Sequence, residues 1–226
     1  MTEQLNQIEL KKILENIKKN SLYPQKVQII AVTKTLSYEA IKAAYKNNIL
    51  NVGESKIQEI EKKTQKKEKL KNLKIHLIGH LQRNKAKKAV LLCDYIQSVD
   101  SIKIAEKINK EASLINKIQK IYLQINIGED DQKHGFSVSQ IFSKCDQITQ
   151  MSNLQVVGIM TILPQAISEQ KIKKLFLKTK QIKDKIEKTV CTTCTELSMG
   201  MSGDYKIALK MGATNIRIGT RLYGKR

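Results

Sequence analysis

Lys34 is the residue of this sequence with the most chemistry to offer. It follows the mostly apolar run Val27–Val32 and Thr33. A lysine partly withdrawn from water has a lowered pKa, and its neutral amine attacks an aldehyde. The bland alternative is an ordinary surface lysine. Ser202, Gly219 and Thr220 suit a phosphate: glycine lets backbone N–H groups approach an anion, and hydroxyls add donors. The competing reading is an ordinary loop of small residues. Arg217 lies two residues before Gly219 and brings a permanent charge. Neither a GxxxxGK[ST] nucleotide loop nor a GxGxxG dinucleotide fingerprint occurs.

The three histidines suggest neither a nucleophile triad nor a metal cluster. His76 falls inside an apolar run and reads as a packed core residue. His80 and His134 fall in loops, and a substrate contact is the functional reading of His80. Cys191-Thr-Thr-Cys194 has CxxC spacing, but no second CxxC or HxxxH completes a structural zinc site. With Cys93 and Cys145 these cysteines read as reduced thiols.

These groups need elements to position them. Short runs rich in β-branched residues alternate with longer amphipathic segments. The runs are VQIIAV (27–32), ILNVG (49–53), KIHLIG (74–79), YIQSV (95–99), IQKIYLQINI (118–127), LQVVGIMT (154–161), TELSMG (195–200) and TNIRIG (214–219). Helices are predicted over 5–19, 38–46, 56–71, 83–92, 102–111, 138–151, 169–187 and 205–211, so that every strand but the last is followed by one. The stretch 61–72 reads as a solvated helix end. Alternating β and α segments imply a parallel sheet. Eight units fit a single α/β domain over residues 1–226, a (β/α)8 TIM-type barrel with an extra N-terminal helix; a doubly wound sheet is the alternative. Functional groups of such barrels collect at the C-terminal strand ends. That rule gathers Lys34, Gly53-Glu54-Ser55, His80, Gln124, Asn126, Met160-Thr161, Ser198–Gly203 and Arg217 on one rim.

The net charge is +20, from 41 Lys+Arg against 21 Asp+Glu. Such an excess favours encounter with nucleic acid or anionic surfaces. It is nearly all lysine, however, and is spread along the chain. Aromatic residues are only 4%, and no nucleic-acid fold motif accompanies the charge. Solvated helix faces are the preferred reading, and a basic nucleic-acid-binding module the alternative. No apolar stretch approaches membrane-spanning length, and no signal-like h-region follows Met1, so a cytoplasmic protein without membrane partners is expected.

Seven segments in order carry a resemblance: AVTKT (31–35), VGES (52–55), HLIGHLQRNK (76–85), QINIGEDDQKHGF (124–136), VVGIMT (156–161), SMGMSGDY (198–205) and GATNIRIGTRLYG (212–224). Together they resemble the pyridoxal phosphate homeostasis proteins, which look like the N-terminal barrel of alanine racemase without its second domain. The resemblance implies pyridoxal 5'-phosphate held as a Schiff base on Lys34. It puts Arg217 opposite the pyridine nitrogen and Ser202, Gly219 and Thr220 around the phosphate. Asn51, Met160, Ser198 and Met199 are implied as wall positions. The family usually has Asn where this chain has Ser55, which alters a detail of the wall.

An arginine beside the pyridine nitrogen makes the ring a poorer electron sink than a carboxylate would. The chain also ends six residues after Thr220, without the domain that brings the racemases their second acid–base group. The expectation is therefore a monomeric carrier in vitamin B6 homeostasis without robust turnover. It would store or buffer the cofactor, or deliver it to PLP-dependent apoenzymes. A small racemase-like enzyme is the alternative.

Overall fold

The computed structural model describes residues 4–65, 70–130 and 133–224. Eight strands form a closed, all-parallel barrel in sequence order: β1 (Gln28–Val32), β2 (Asn51–Glu54), β3 (Lys74–Leu77), β4 (Tyr95–Val99), β5 (Gln119–Ile125), β6 (Leu154–Thr161), β7 (Glu196–Met201) and β8 (Asn215–Ile218). The closure is made by β8 against β1, with Ile29 opposite Ile216 and Ala31 opposite Ile218. The apolar run of β1 behaves as predicted, since Ile29, Ile30, Ala31 and Val32 are all buried. One face meets the barrel interior and the other the helices.

The helices are α1 (Gln7–Asn20), α2 (Tyr38–Lys46), α3 (Ile57–Thr64), α4 (Ala86–Leu92), α5 (Ile102–Ser113), α6 (Ile141–Thr149), α7 (Glu169–Thr189), α8 (Tyr205–Lys210) and α9 (Thr220–Tyr223). Side-chain caps start several of them: Asn6, Ser37, Ser101 and Ser168 each accept a bond from the first turn of α1, α2, α5 and α7. Two differences from the sequence reading stand out. β8 is followed by a helix, the short α9, because the chain turns directly after Gly219. The lysine-rich helix expected over 56–71 ends at Thr64; part of that stretch, residues 66–69, lies outside the described residues.

The apolar residues divide between two layers. The larger lies between sheet and helices and includes Ala31, Val52, Leu77, Ile96, Leu123, Ile159, Leu197, Met199 and Ile216. A small one, Tyr122, Val157 and Met160, packs with Tyr95 and Ile162. Much of the barrel interior is polar, with Gln97, Ser198, Asn215 and Arg217 buried and linked to neighbours by hydrogen bonds.

Candidate functional site at the barrel mouth

Lys34 follows β1 in a tight turn that is held from both sides. On one side Thr33 is buried, and its hydroxyl donates to Glu54 Oε1 at 2.5 Å. The Thr33 carbonyl accepts from Lys63 Nζ at 2.7 Å, and Lys63 also bonds Glu54 Oε1 at 2.6 Å. On the other side the Thr35 N–H donates to Glu59 Oε2 at 2.7 Å. Thr35 adopts φ +64°, a left-handed conformation uncommon outside glycine, which these contacts help to maintain. Lys34 itself is exposed, and among the described residues its ammonium has no partner. The sequence reading expected partial desolvation to activate this amine. In the structure the side chain lies exposed instead.

Arg217 is buried inside the barrel. Its Nη1 donates to Ser198 Oγ at 2.7 Å and its Nη2 to the Thr161 carbonyl at 2.7 Å. The chain of bonds continues. Ser198 Oγ donates to Gln97 Oε1 at 2.7 Å, and Gln97 Nε2 lies 3.0 Å from His76 Nδ1. His76 Nε2 lies 3.0 Å from Asn51 Oδ1. The Gln97 amide can only donate through Nε2, so His76 Nδ1 accepts and its Nε2–H donates to Asn51. Five side chains from β8, β7, β4, β3 and β2 thus form one directed line of hydrogen bonds from Arg217 to Asn51. Burial pulls the His76 imidazole down to about 3, which keeps it neutral. Burial also lowers the Arg217 guanidinium, to about 10, so it remains charged at neutral pH.

The loops after β7 and β8 are clasped together. Arg221 Nε donates to the Ser202 carbonyl at 2.7 Å, and its Nη1 donates to Glu9 Oε2 of α1 at 2.8 Å. The Arg221 N–H lies 3.5 Å from Ser202 Oγ. Gly219 is buried immediately before α9, and the exposed Thr220 has no hydroxyl partner among the described residues. Beside Ser202, a Cβ on Gly203 would meet only open space. Ser202 is thereby tied to the turn that follows Gly219 and Thr220.

The wall positions fare unevenly. Met160 packs with Tyr122 and Val157. Ser198 and Asn51 belong to the hydrogen-bonded line. Met199 sits with Leu197 in the layer between sheet and helices, so it does not share the face of Ser198. The carbonyl and Cα of Ser55 press against Gly79, where a Cβ would lie 2.3 Å from the Ser55 oxygen. The four cysteines are buried and unpaired as disulfides.

The histidines depart most from expectation. His80 and His134, 54 positions apart in sequence, stack with ring centroids 3.8 Å apart, and both face Asp100. Sequence spacing gives no sign of this cluster, because its members follow three different strands.

Comparison with known proteins fixes the family. The family model described as "Alanine racemase, N-terminal domain" matches residues 8–226. The pyridoxal phosphate homeostasis protein of Synechocystis sp. PCC 6803 is 39% identical over 203 residues, covering 90% of this chain and 93% of that protein. The chain belongs to the pyridoxal phosphate homeostasis proteins. The human homeostasis protein is 30% identical, with 88% of this chain and 76% of that protein covered. Among solved structures, PipY of Synechococcus elongatus PCC7942 without PLP gives a TM-score of 0.85 at 35% identity, over 94% of this chain and all of that one. PipY with PLP bound gives 0.83 at 34% identity, over the same shares. An alanine racemase of Clostridium difficile shares the fold at 19% identity and a TM-score of 0.78, over 99% of this chain and 58% of that one. In this homeostasis-protein barrel Lys34 and the Ser202 and Gly219–Thr220 loops lie at the C-terminal strand ends, and the Arg217 guanidinium is buried inside the barrel.

Proposed function

We propose that this chain binds pyridoxal 5'-phosphate at the barrel mouth, as a Schiff base on Lys34, and serves intracellular cofactor homeostasis by storing, buffering or delivering it. The observation that carries this reading is the arrangement of an exposed Lys34 amine with no partner among the described residues, a buried Arg217 guanidinium and the clasped Ser202 and Gly219–Thr220 loops. That donor set fits the cofactor: an amine for its aldehyde, a cation for its ring and hydroxyl and backbone donors for its phosphate. When bound, the cofactor supplies an aldehyde and a conjugated ring able to take up electrons.

The residues of the chain then do four things. Lys34 anchors the cofactor covalently. Ser202, Gly219 and Thr220 hold its phosphate end, on loops that Arg221 keeps in register. Arg217, fixed by Ser198 and the Thr161 carbonyl, would serve the ring of the cofactor and, as a cation, would disfavour protonation of its pyridine nitrogen. Met160, Asn51 and Ser198 support the wall beneath. Met199, being in the outer layer, supports it only through the backbone of β7.

A permanent cation opposite the pyridine nitrogen weakens the ring as an electron sink. For that reason we read the chain as a carrier without robust turnover, acting as a monomer of one domain in the cytoplasm, with PLP-dependent apoenzymes as recipients. Among the described residues no helix is long and apolar enough to cross a membrane.

The test is borohydride reduction of the protein supplied with pyridoxal phosphate, followed by peptide mass mapping. One pyridoxyl-phosphate group on the Lys34 peptide, absent in Lys34→Ala, is the expected result. An adduct on other lysines, or none, overturns the reading. Exchange of the α-hydrogen of added amino acids at an enzymatic rate, abolished by Lys34→Ala, would replace carrier by racemase-like enzyme.

A further inference from the structure

We infer that His80, Asp100 and His134 form a binding site for a divalent transition metal, best matched by zinc, on the rim of the barrel beyond the ends of β3, β4 and β5. The three donor atoms lie within 4.8 Å of one another. His80 Nδ1 is 2.9 Å and His134 Nδ1 3.6 Å from the same Asp100 Oδ2, whose side chain is only 9% exposed. Two imidazole nitrogens are therefore focused on one carboxylate oxygen, but only one of them is at hydrogen-bond length. A cation at their centre would engage all three.

The scaffold is rigid on each side. His80 follows Gly79 at the end of β3. Asp100 follows Val99, the last residue of β4, and precedes Ser101, which caps α5. His134 lies on a segment strapped to β5: Gln124 Nε2 donates to the His134 carbonyl at 2.8 Å. Phe136 exchanges backbone bonds with Gln124 and Asn126 at 2.8 and 3.0 Å. Three consecutive strand ends thus present one ligand each.

The chemistry selects the ion. Two imidazoles and one carboxylate suit zinc and its borderline neighbours better than magnesium or calcium, which favour oxygen-rich shells. Zinc sits about 2.0–2.2 Å from such ligands, so tetrahedral neighbours lie roughly 3.3 Å apart. The 3.6 Å separation already matches this, and the 2.9 Å hydrogen bond opens by a few tenths of an ångström as zinc replaces its proton. The rings, now within 11° of parallel, must swing apart so that each aims a lone pair at the ion. Both are exposed, at 41% and 58% of the side chain, which leaves them room for that rotation. Three protein ligands leave a fourth position for water or a small anionic ligand.

The test uses the full chain without a polyhistidine tag and free of cofactor, titrated with zinc chloride calorimetrically, with cobalt absorption as a second readout. One ion per chain is expected, with affinity reduced about tenfold or more in His134→Ala and in His80→Ala. Both replaced residues are exposed, so these variants keep the fold, which circular dichroism checks. A Cys191→Ser, Cys194→Ser double variant should bind as the parent does. Loss of zinc in that double variant with retention in His134→Ala would overturn the proposal, as would unchanged affinity in both histidine variants or no saturable binding by the parent.

Discussion

The Glu54 carboxylate and the Lys63 ammonium meet at 2.6 Å with side chains only 1% and 7% exposed, directly beneath the turn that carries Lys34. Burial raises the Glu54 pKa despite its bonds to Lys63 and Thr33, and its second oxygen has no partner among the described residues. The pair is thus held against a desolvation cost. Removing one member leaves the other buried and uncompensated. Lys63→Met should cost about 3 kcal/mol in urea unfolding. Glu54→Leu combined with Lys63→Met should recover most of that loss, since an apolar pair is often as stable as a buried ionic one. Both variants should weaken pyridoxal phosphate binding, because the Thr33 carbonyl loses its donor.

Gln97 is the middle link between Arg217 and Asn51. Gln97→Leu deprives Ser198 of its acceptor and His76 of its donor at once. Leaving buried polar groups unsatisfied costs about 1–3 kcal/mol each, so chemical denaturation should show a loss of at least 2 kcal/mol. The same variant should shift the visible absorption of bound pyridoxal phosphate, since Arg217 would be less firmly oriented. A purely structural role predicts the stability loss with an unchanged spectrum.

His76 makes folding sensitive to acid. Its imidazole is lowered from the ordinary 6.5 to about 3 by burial. Below pH 6.5 the unfolded chain takes up a proton that the folded chain refuses, so stability is complete above that pH and falls as pH drops towards 3. At pH 5 the expected loss is about 2 kcal/mol. His76→Gln keeps an acceptor for Gln97 and a donor for Asn51, and should flatten this part of the profile. Urea midpoints measured across the range would test it; an unaltered slope in the variant would assign the acid loss to other groups.

Gly79 is required by close approach rather than by backbone angle. A Cβ there would lie 2.3 Å from the Ser55 carbonyl oxygen and 2.8 Å from its Cα. Backbone atoms cannot yield as a side-chain tip can, so Gly79→Ala should destabilise by about 1–3 kcal/mol and lower the melting temperature. Gly203→Ala is the matching control, because a Cβ there meets nothing within 4 Å.

Much of the fold was legible because the strands are short, largely apolar runs set between amphipathic segments. LQVVGIMT at 154–161 and YIQSV at 95–99 coincide with β6 and β4. α9 was missed because four residues carry too little periodicity to read. At the candidate site, the position of Lys34, Arg217, Ser202, Gly219 and Thr220 at or near strand ends was legible. Met199 was misplaced although alternation offered the correction: if Ser198 faces the interior, its neighbour faces the helices. The line through Gln97 and His76, and the His80–Asp100–His134 cluster, depend on contacts between strands remote in sequence. No local pattern encodes such contacts.

Closure of the barrel by β8 against β1 sets an order of events during synthesis. The lysine leaves the ribosome early, but Arg217, Gly219 and Thr220 belong to the last strand and the turn beyond it. Until they emerge, β1 has an open edge and its amine has neither guanidinium nor phosphate donors beside it. On the proposed reading, a chain whose barrel is still open cannot compete for the cofactor, and loading waits on the closure made by β8.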